Sequence, residues 1–366
     1  MRHQITLVGG QLLPVLLGIK EYQPEVVHFL ISKETKNSIS NLKALIIGTK
    51  TSEHECEPYD LNNIKSVCEK IINKLQEEDE VYFNLTGGTK IMLLAAQSIM
   101  VEKKIKGFYI NQDNTVLEFP DFKKSNITYR VSTEEFFKLS GQRVSSFKKL
   151  SDYSQQDFST SREIEDFSEK GSLYTKLTKT IRDKYEHLPK NGFESGLNGD
   201  KVEWETGKVL VTSTGKKSYT FKSQEVLNLF FDGGWWELLV AQAISGWAEA
   251  DEILLKIEFP FKSDLSISKN EIDLVINRNN KLIFIECKSG KVIQQDINKM
   301  KAIKDTYGGV ASKSILVSRY PITATLMEKC KELNVEVFSL KLFKNHPGTF
   351  TTLIKDLKYL EKKISL

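Results

Sequence analysis

Glu271-Ile272-Asp273-Leu274-Val275 and Leu282-Ile283-Phe284-Ile285-Glu286-Cys287-Lys288 decide how the carboxyl-terminal part of this chain folds. Both runs are rich in branched and aromatic residues, which suit strands. Asn277 to Asn280 between them suit a short turn. Side chains alternate faces along a strand, so Asp273 points away from Ile272 and Leu274. Glu286 and Lys288 share a face, and Cys287 turns from them. Charges on apolar strands are costly to bury unless they are paired or bind a metal. Two carboxylates can hold a hard divalent cation, Mg²⁺ or Mn²⁺. Such an ion polarises a phosphodiester and lowers the pKa of bound water. A lysine beside it can orient or deprotonate that water and offset charge on the phosphate.

A third acid precedes these two. Gly233-Gly234-Trp235-Trp236-Glu237-Leu238-Leu239-Val240-Ala241-Gln242-Ala243-Ile244 reads as a helix opening after a glycine turn. Glu237, Val240, Ala241 and Ile244 follow the i, i+3, i+4, i+7 spacing, so Glu237 lies on an apolar stripe. Each acid has a plainer reading. Glu237 favours the positive end of its helix, Asp273 sits at a solvated edge, and Glu286 with Lys288 makes an ordinary ion pair. The order of helix acid, strand acid and strand Glu-x-Lys resembles the PD-(D/E)xK nuclease superfamily, with Ile272 where the proline of that name stands. The resemblance implies a mixed α/β nuclease domain over 223–366. Asp273, Glu286 and Glu237 are then the metal ligands, and Lys288 assists the attacking water. Glu271 shares a face with Asp273, which makes it a rim residue or, as the alternative, an extra ligand. Gln295 and Lys299, one turn apart on a helix after Lys288, either touch phosphate or belong to a solvated helix face.

The amino-terminal part alternates strands and helices. Ile5 to Val8 reads as a strand stopped by Gly9-Gly10, and Leu12 to Ile19 as a helix. Val26 to Ile31 follows as a strand, then a helical stretch around Ser38 to Ile47. Asp60 suits the N-cap of a helix Leu61 to Leu75. Glu80 to Leu85 is a strand ending in Thr86-Gly87-Gly88-Thr89-Lys90, with an apolar helix Ile91 to Val101 and a strand at 107–111 beyond it. Such alternation signals a parallel sheet with helices on both faces, whose ligands bind at the carboxyl ends of the strands. Glycine pairs at two of those ends let a backbone approach a ligand, and a helix N-terminus offers free N–H groups to phosphate. Neither segment has P-loop or GxGxxG spacing.

The run Asn84 to Lys90, with the earlier Gly-Gly turn, resembles the CARF (CRISPR-associated Rossmann fold) domain, over residues 1–135. The combination of such a domain with a PD-(D/E)xK domain, and the Gly-Gly-Trp-Trp-Glu start of the latter, resembles the ancillary nucleases of type III CRISPR systems. This resemblance implies a homodimeric sensor holding a cyclic oligoadenylate against Gly9, Gly10, Gln11, Thr86, Gly87, Gly88, Thr89 and Lys90. The two-fold symmetry of cyclic tetra-adenylate suits a dimer. The implied substrates are single-stranded RNA or DNA, with nicking of duplex DNA besides. The rival readings are a ligand-independent restriction or repair nuclease, and a non-catalytic nucleotide sensor.

Composition bounds these readings. A chain of 366 residues accommodates two or three domains, and 40% hydrophobic with 27% charged residues is globular. A net charge of +4 advertises no global affinity for nucleic acid, so local patches must supply it. No apolar run is long enough to span a membrane, and Met1-Arg2-His3-Gln4 leads straight into a strand without a signal peptide. Four scattered cysteines fit a reducing cytoplasm rather than a zinc ribbon. Five histidines without HxH or HExxH pairing suggest no catalytic duty for them. The region 136–222 reads as a connector, winged-helix-like or purely mechanical. It comprises a polar linker over 151–161, a helix 173–185, a glycine- and asparagine-rich loop 191–199, and a hairpin around Thr206-Gly207. A basic amphipathic helix, Leu353 to Ile364, closes the chain.

Overall fold

The computed structural model describes residues 1–196, 199–215, 217–247, 250–261, 268–309 and 312–339. They form two compact units, Met1–Arg143 and the chain from Val144 onward.

In the first unit β1 (Arg2–Leu7), α1 (Leu13–Tyr22), β2 (Val26–Ile31), α2 (Ile39–Lys43), β3 (Lys50–Glu55), α3 (Leu61–Ile72), β4 (Glu80–Asn84), α4 (Lys90–Glu102) and β5 (Lys106–Ile110) alternate as expected. β6 (Thr115–Phe119), β7 (Lys123–Asn126) and α5 (Thr133–Leu139) follow. The sheet order is β3-β2-β1-β4-β5-β6-β7, parallel through β5 and antiparallel beyond. Order reverses between β1 and β4, which is therefore the switch point where such sheets bind ligands. Ile5, Leu7, Leu30 and Phe83 bury one sheet face against Ile64 and Cys68 of α3 and Met92, Ala95 and Ile99 of α4. Asp60 caps α3 by accepting from Asn63 N, and Thr89 caps α4 by accepting from Met92 N. α2 is shorter than the helix expected over 38–47. Three of the histidines meet on neighbouring strands: His3 Nδ1 is 3.0 Å from His28 Nε2, and His28 Nδ1 is 3.3 Å from His54 Nε2.

The second unit starts with β8 (Ser146–Lys148), α6 (Gln155–Glu169) and α7 (Leu173–Lys184). A four-stranded antiparallel sheet follows, built from β9 (Gly192–Ser195), β10 (Lys201–Glu205), β11 (Lys208–Thr212) and β12 (Ser218–Lys222) in the order β12-β11-β10-β9. Then come α8 (Gly234–Ser245), β13 (Glu252–Pro260), β14 (Ser268–Arg278), β15 (Lys281–Lys288), α9 (Gln294–Ile303), β16 (Lys313–Ser318), α10 (Ala324–Glu332) and β17 (Val335–Ser339). The six-stranded sheet runs β17-β16-β15-β14-β13-β8, parallel among β15, β16 and β17 and antiparallel elsewhere.

Two expectations are corrected. The linker over 151–161 is the start of α6, because Ser154 and Asp157 form a capping box and Phe158, Ile164 and Phe167 turn inward. The loop over 191–199 contains β9, paired to β10. The hairpin around Gly207 is present as β10 and β11, while the helix expected over 353–364 lies outside the described residues.

One apolar core spans the second unit. Phe167, Tyr174, Trp204, Phe221 and Phe230 share it with Trp235, Trp236, Leu274, Ile285 and Val317. Each large side chain withdrawn from water contributes about 1.5–3 kcal/mol. Three polar atoms carried inside are matched: Trp235 Nε1 donates to Tyr174 Oη (2.8 Å), Tyr174 Oη to the Phe230 carbonyl (2.9 Å), and Trp236 Nε1 to the Val317 carbonyl (3.3 Å), while Trp247 Nε1 is buried without a hydrogen bond. No helix among the described residues is long and apolar enough to cross a membrane.

Candidate functional site

The three acids and the lysine sit on the elements that the sequence patterns require. Leu255 pairs with Leu274 and Ile257 with Ile272, which sets Lys256 opposite Asp273. On its other side Leu274 pairs with Ile285, and the next positions along are Asp273 and Glu286. The ladder stops there. The Asp273 carboxylate occupies the opening and accepts from the Cys287 amide at 2.6 Å. Glu237 reaches in from the first turn of α8.

Ammonium groups interleave with these acids. Lys288 Nζ is 2.8 Å from Glu286 Oε1 and 3.2 Å from Asp296 Oδ1. Lys299 Nζ is 3.3 Å from both Glu286 oxygens, so it pairs with the acid. Lys256 Nζ is 3.5 Å from Glu237 Oε2 and donates to Asn228 Oδ1 at 2.6 Å. Gln295, by contrast, is exposed. Lys256, Asp296 and the acid-holding role of Lys299 were not read from sequence. The signal for Lys256 was there: one lysine inside the apolar run Ile253 to Phe259.

Burial and crowding set the proton affinities. Burial raises the Asp273 pKa well above its ordinary value, and the Glu286 and Glu237 charges add to this. Burial also raises Glu237, partly opposed by Lys256. At Lys288 burial works against the charge. The Glu286 carboxylate outweighs it by charge and hydrogen bond, with help from Asp273 and Asp296, and the pKa rises above that of a free lysine. Lys288 is thus held as a cation, suited to donating hydrogen bonds and facing negative charge rather than to taking a proton.

Do these residues suit a divalent cation? Among the described residues no three His, Cys, Asp or Glu side chains converge closely enough to enclose one. The donor chemistry nevertheless fits. Glu237 Oε2 is buried without a hydrogen bond, the acids are all oxygen donors, and their crowding is the excess negative charge that a cation relieves.

The expected ligand loops come together at the switch point. A Cβ on Gly87 would lie 2.1 Å from the Leu7 carbonyl oxygen, and one on Gly9 would lie 2.8 Å from Gly88 N. The loops after β1 and β4 therefore touch backbone to backbone. Gly88 has φ +75°, in the region that favours glycine. Thr86 Oγ1 accepts from Ile110 N at 2.9 Å, and Thr89 Oγ1 donates to the Pro58 carbonyl at 2.6 Å, so both hydroxyls brace the loop. Gly10, Gln11 and Lys90 face solvent. Replacing Gly87 by alanine is expected to destabilise the chain by about 1–3 kcal/mol through overpacking, whereas Gly10→Ala, with open space around its Cβ, leaves the melting temperature unchanged. Thermal unfolding of the two variants checks this, and equal melting temperatures would contradict the loop contact.

A strand acid beside a Glu-x-Lys strand and a helix glutamate, on a mixed sheet, defines a nuclease of the PD-(D/E)xK kind, here carried on the same chain as a Rossmann-like domain. Residues 224–340 match the endonuclease domain of Card1-like proteins and residues 4–136 match the Card1 CARF domain. The chain belongs to this Card1-like group of CARF endonucleases. Among solved structures it is similar to Can2 from Sulfobacillus thermosulfidooxidans in complex with cyclic tetra-adenylate (19% identity, TM-score 0.73, 98% of this chain and 99% of that one). It is also similar to protein VC1899 from Vibrio cholerae (17%, TM-score 0.74, 98% of both chains). A type III CRISPR defence DNA nuclease activated by cyclic oligoadenylate matches at 15% identity and TM-score 0.55, over 94% of this chain and 52% of that one. No curated protein matches by sequence.

Proposed function

We propose that this endonuclease is switched on by a cyclic oligoadenylate, cyclic tetra-adenylate in particular, and serves type III CRISPR defence in the cytoplasm. The observation that carries the proposal is the pair of glycine loops meeting at the switch point of a CARF domain, on a chain whose other unit holds the acid and lysine centre. Can2 in its complex with cyclic tetra-adenylate, similar over nearly the whole chain, supports the choice of activator. In this reading residues 1–135 sense, 136–222 connect and 223–366 cut. The sensor works as a homodimer, and activator binding favours the cutting arrangement because it binds that arrangement more tightly.

Asp273, Glu286 and Glu237 would hold Mn²⁺ or Mg²⁺. Such an ion, when bound, supplies Lewis-acid polarisation of the phosphodiester and a more acidic water. The chain's own groups do the rest. Lys288 orients the attacking water by hydrogen bond and offsets charge building on the phosphoryl oxygens. Asp296 and Glu286 fix its ammonium, and Lys256, itself anchored on Asn228 Oδ1, fixes Glu237. Substrates are single-stranded RNA or DNA, with nicking of duplex DNA as a lesser activity.

The test is cleavage of single-stranded RNA, single-stranded DNA and supercoiled plasmid in Mn²⁺, with and without cyclic tetra-adenylate. Cleavage at least a hundredfold faster with the activator is expected. Equal rates would make the first unit a substrate reader, as in a restriction or repair enzyme. No cleavage of any substrate would leave a sensor without catalysis.

A further inference from the structure

Beside the catalytic lysine lies a cavity of about 440 Å³, within the range of small-ligand sites. Its floor is the end of β15 and β16: Lys288 pairs with Ser318, and Arg319 N donates to the Lys288 carbonyl at 2.8 Å. Ser289 and Gly290 form its lip, and α7 forms one wall. Three cations line it, Arg182, Lys291 and Arg319. The carboxylates near them are Glu169, 3.3 Å from Arg319 Nη2, and Asp232, which feels the charges of Lys256 and Arg182. Arg319 is 7% exposed and stacked, its guanidinium 5.0 Å from the Trp235 ring and 5.4 Å from the Tyr320 ring. A guanidinium so held loses little freedom on meeting an anion. Tyr320 and Pro321 add a ring surface at the edge.

A cavity with surplus positive charge and a ring surface suits an occupant that is both anionic and aromatic. Its lip is the backbone that follows Lys288, and a Cβ at Gly290 would meet no atom within 4 Å, so the lip is open at that point. We propose that this cavity receives one unpaired nucleotide of the substrate strand, next to the bond that is cut. The assignment rests on the nuclease reading above and deepens it by placing a nucleotide subsite beside the acid and lysine centre. A paired base inside a duplex is stacked and cannot enter, whereas a single strand can turn a base out at little cost. Stacking and phosphate contact together make the enzyme prefer single strands and give its cut sites a base preference.

Two exposed lining residues allow a test that spares the core. Thr175→Trp fills the cavity, and Lys291→Glu reverses one of its charges. Lys201→Glu, exposed on β10, makes the same charge change away from it. With cyclic tetra-adenylate and Mn²⁺ present, each cavity variant should raise KM for a single-stranded oligonucleotide about tenfold, with a much smaller effect on kcat. It should also redistribute the cut positions, while Lys201→Glu behaves as the unaltered chain. Unchanged KM and an unchanged cut map in both cavity variants would overturn the proposal. The unaltered chain is assayed in parallel on bis(p-nitrophenyl) phosphate, a diester too small to need the cavity. Its hydrolysis alongside unaffected cavity variants refutes the cavity alone. If the unaltered chain hydrolyses neither that diester nor the oligonucleotide, the nuclease reading falls and takes the cavity assignment with it.

Discussion

Glu286→Gln is expected to cut cleavage at least a thousandfold and leave cyclic tetra-adenylate binding untouched. Three interactions of the acid support so large an effect. It lies one position beyond the Leu274–Ile285 pair, as Asp273 does on the neighbouring strand, it holds Lys288 at 2.8 Å, and it holds Lys299 at 3.3 Å. A neutral amide keeps the shape but donates as well as accepts. It no longer forms an ion pair with Lys288 or Lys299, and it is a weaker ligand for a hard cation than a carboxylate. A thousandfold loss corresponds to about 4 kcal/mol of transition-state stabilisation, a reasonable share for a group that serves both the ion and the lysine. Calorimetric titration with the activator supplies the second readout. Retained cleavage in a well-folded variant would sink the assignment of Glu286.

Asp273→Asn should abolish cleavage too, yet make the metal-free protein more stable. Asp273 is buried and crowded by Glu286 and Glu237, which raises its pKa in the folded state above the ordinary 3.8. A carboxyl with a raised folded pKa contributes its stability at low pH, below its unfolded value. That contribution is lost as pH rises through the folded value. Asparagine carries no proton to lose, and its side-chain oxygen can still accept from the Cys287 amide. The melting temperatures of variant and parent should therefore lie close near pH 4 and separate as pH rises. Near neutrality the variant gains about 1–3 kcal/mol, which is about 2–4 °C in melting temperature per kcal/mol for a domain of this size. Added Mn²⁺ should raise the parent's melting temperature and not the variant's. A variant less stable than the parent at pH 8 without metal would show that the buried carboxylate is compensated in a way the neighbouring charges do not reveal.

Much of this arrangement was legible before any coordinates. The acid of β14 and the Glu-x-Lys of β15 stand out because charge on an apolar strand is rare, and the glycine pairs mark strand ends wherever a helix follows. What stayed hidden lacked local contrast. β3, Lys-Thr-Ser-Glu-His-Glu, carries no aliphatic residue and sits at a sheet edge, so no periodicity betrays it. α6 opens with glutamines and an aspartate, and the side it buries mixes Asp157, Thr160 and Ser161 with Ile164 and Phe167, so its apolar stripe is broken by polar residues. The partners of Glu286 and Glu237 come from β13 and α9, through contacts that depend on sheet register rather than on spacing along the chain.

The common core of the second unit bears on how such proteins diversify. Tyr174 and Phe230 are bound into the same interior as Trp235 and Val317, so the described residues after Val144 hold together as one block. A gene fusion that spliced a new sensor onto residue 223 would strip one side of that interior and leave an insoluble remnant. A junction at 143 and 144 would carry the cutting half intact. Lineages that exchanged their sensing halves should therefore show their breakpoints near that junction, with the two helices and the small antiparallel sheet travelling with the nuclease.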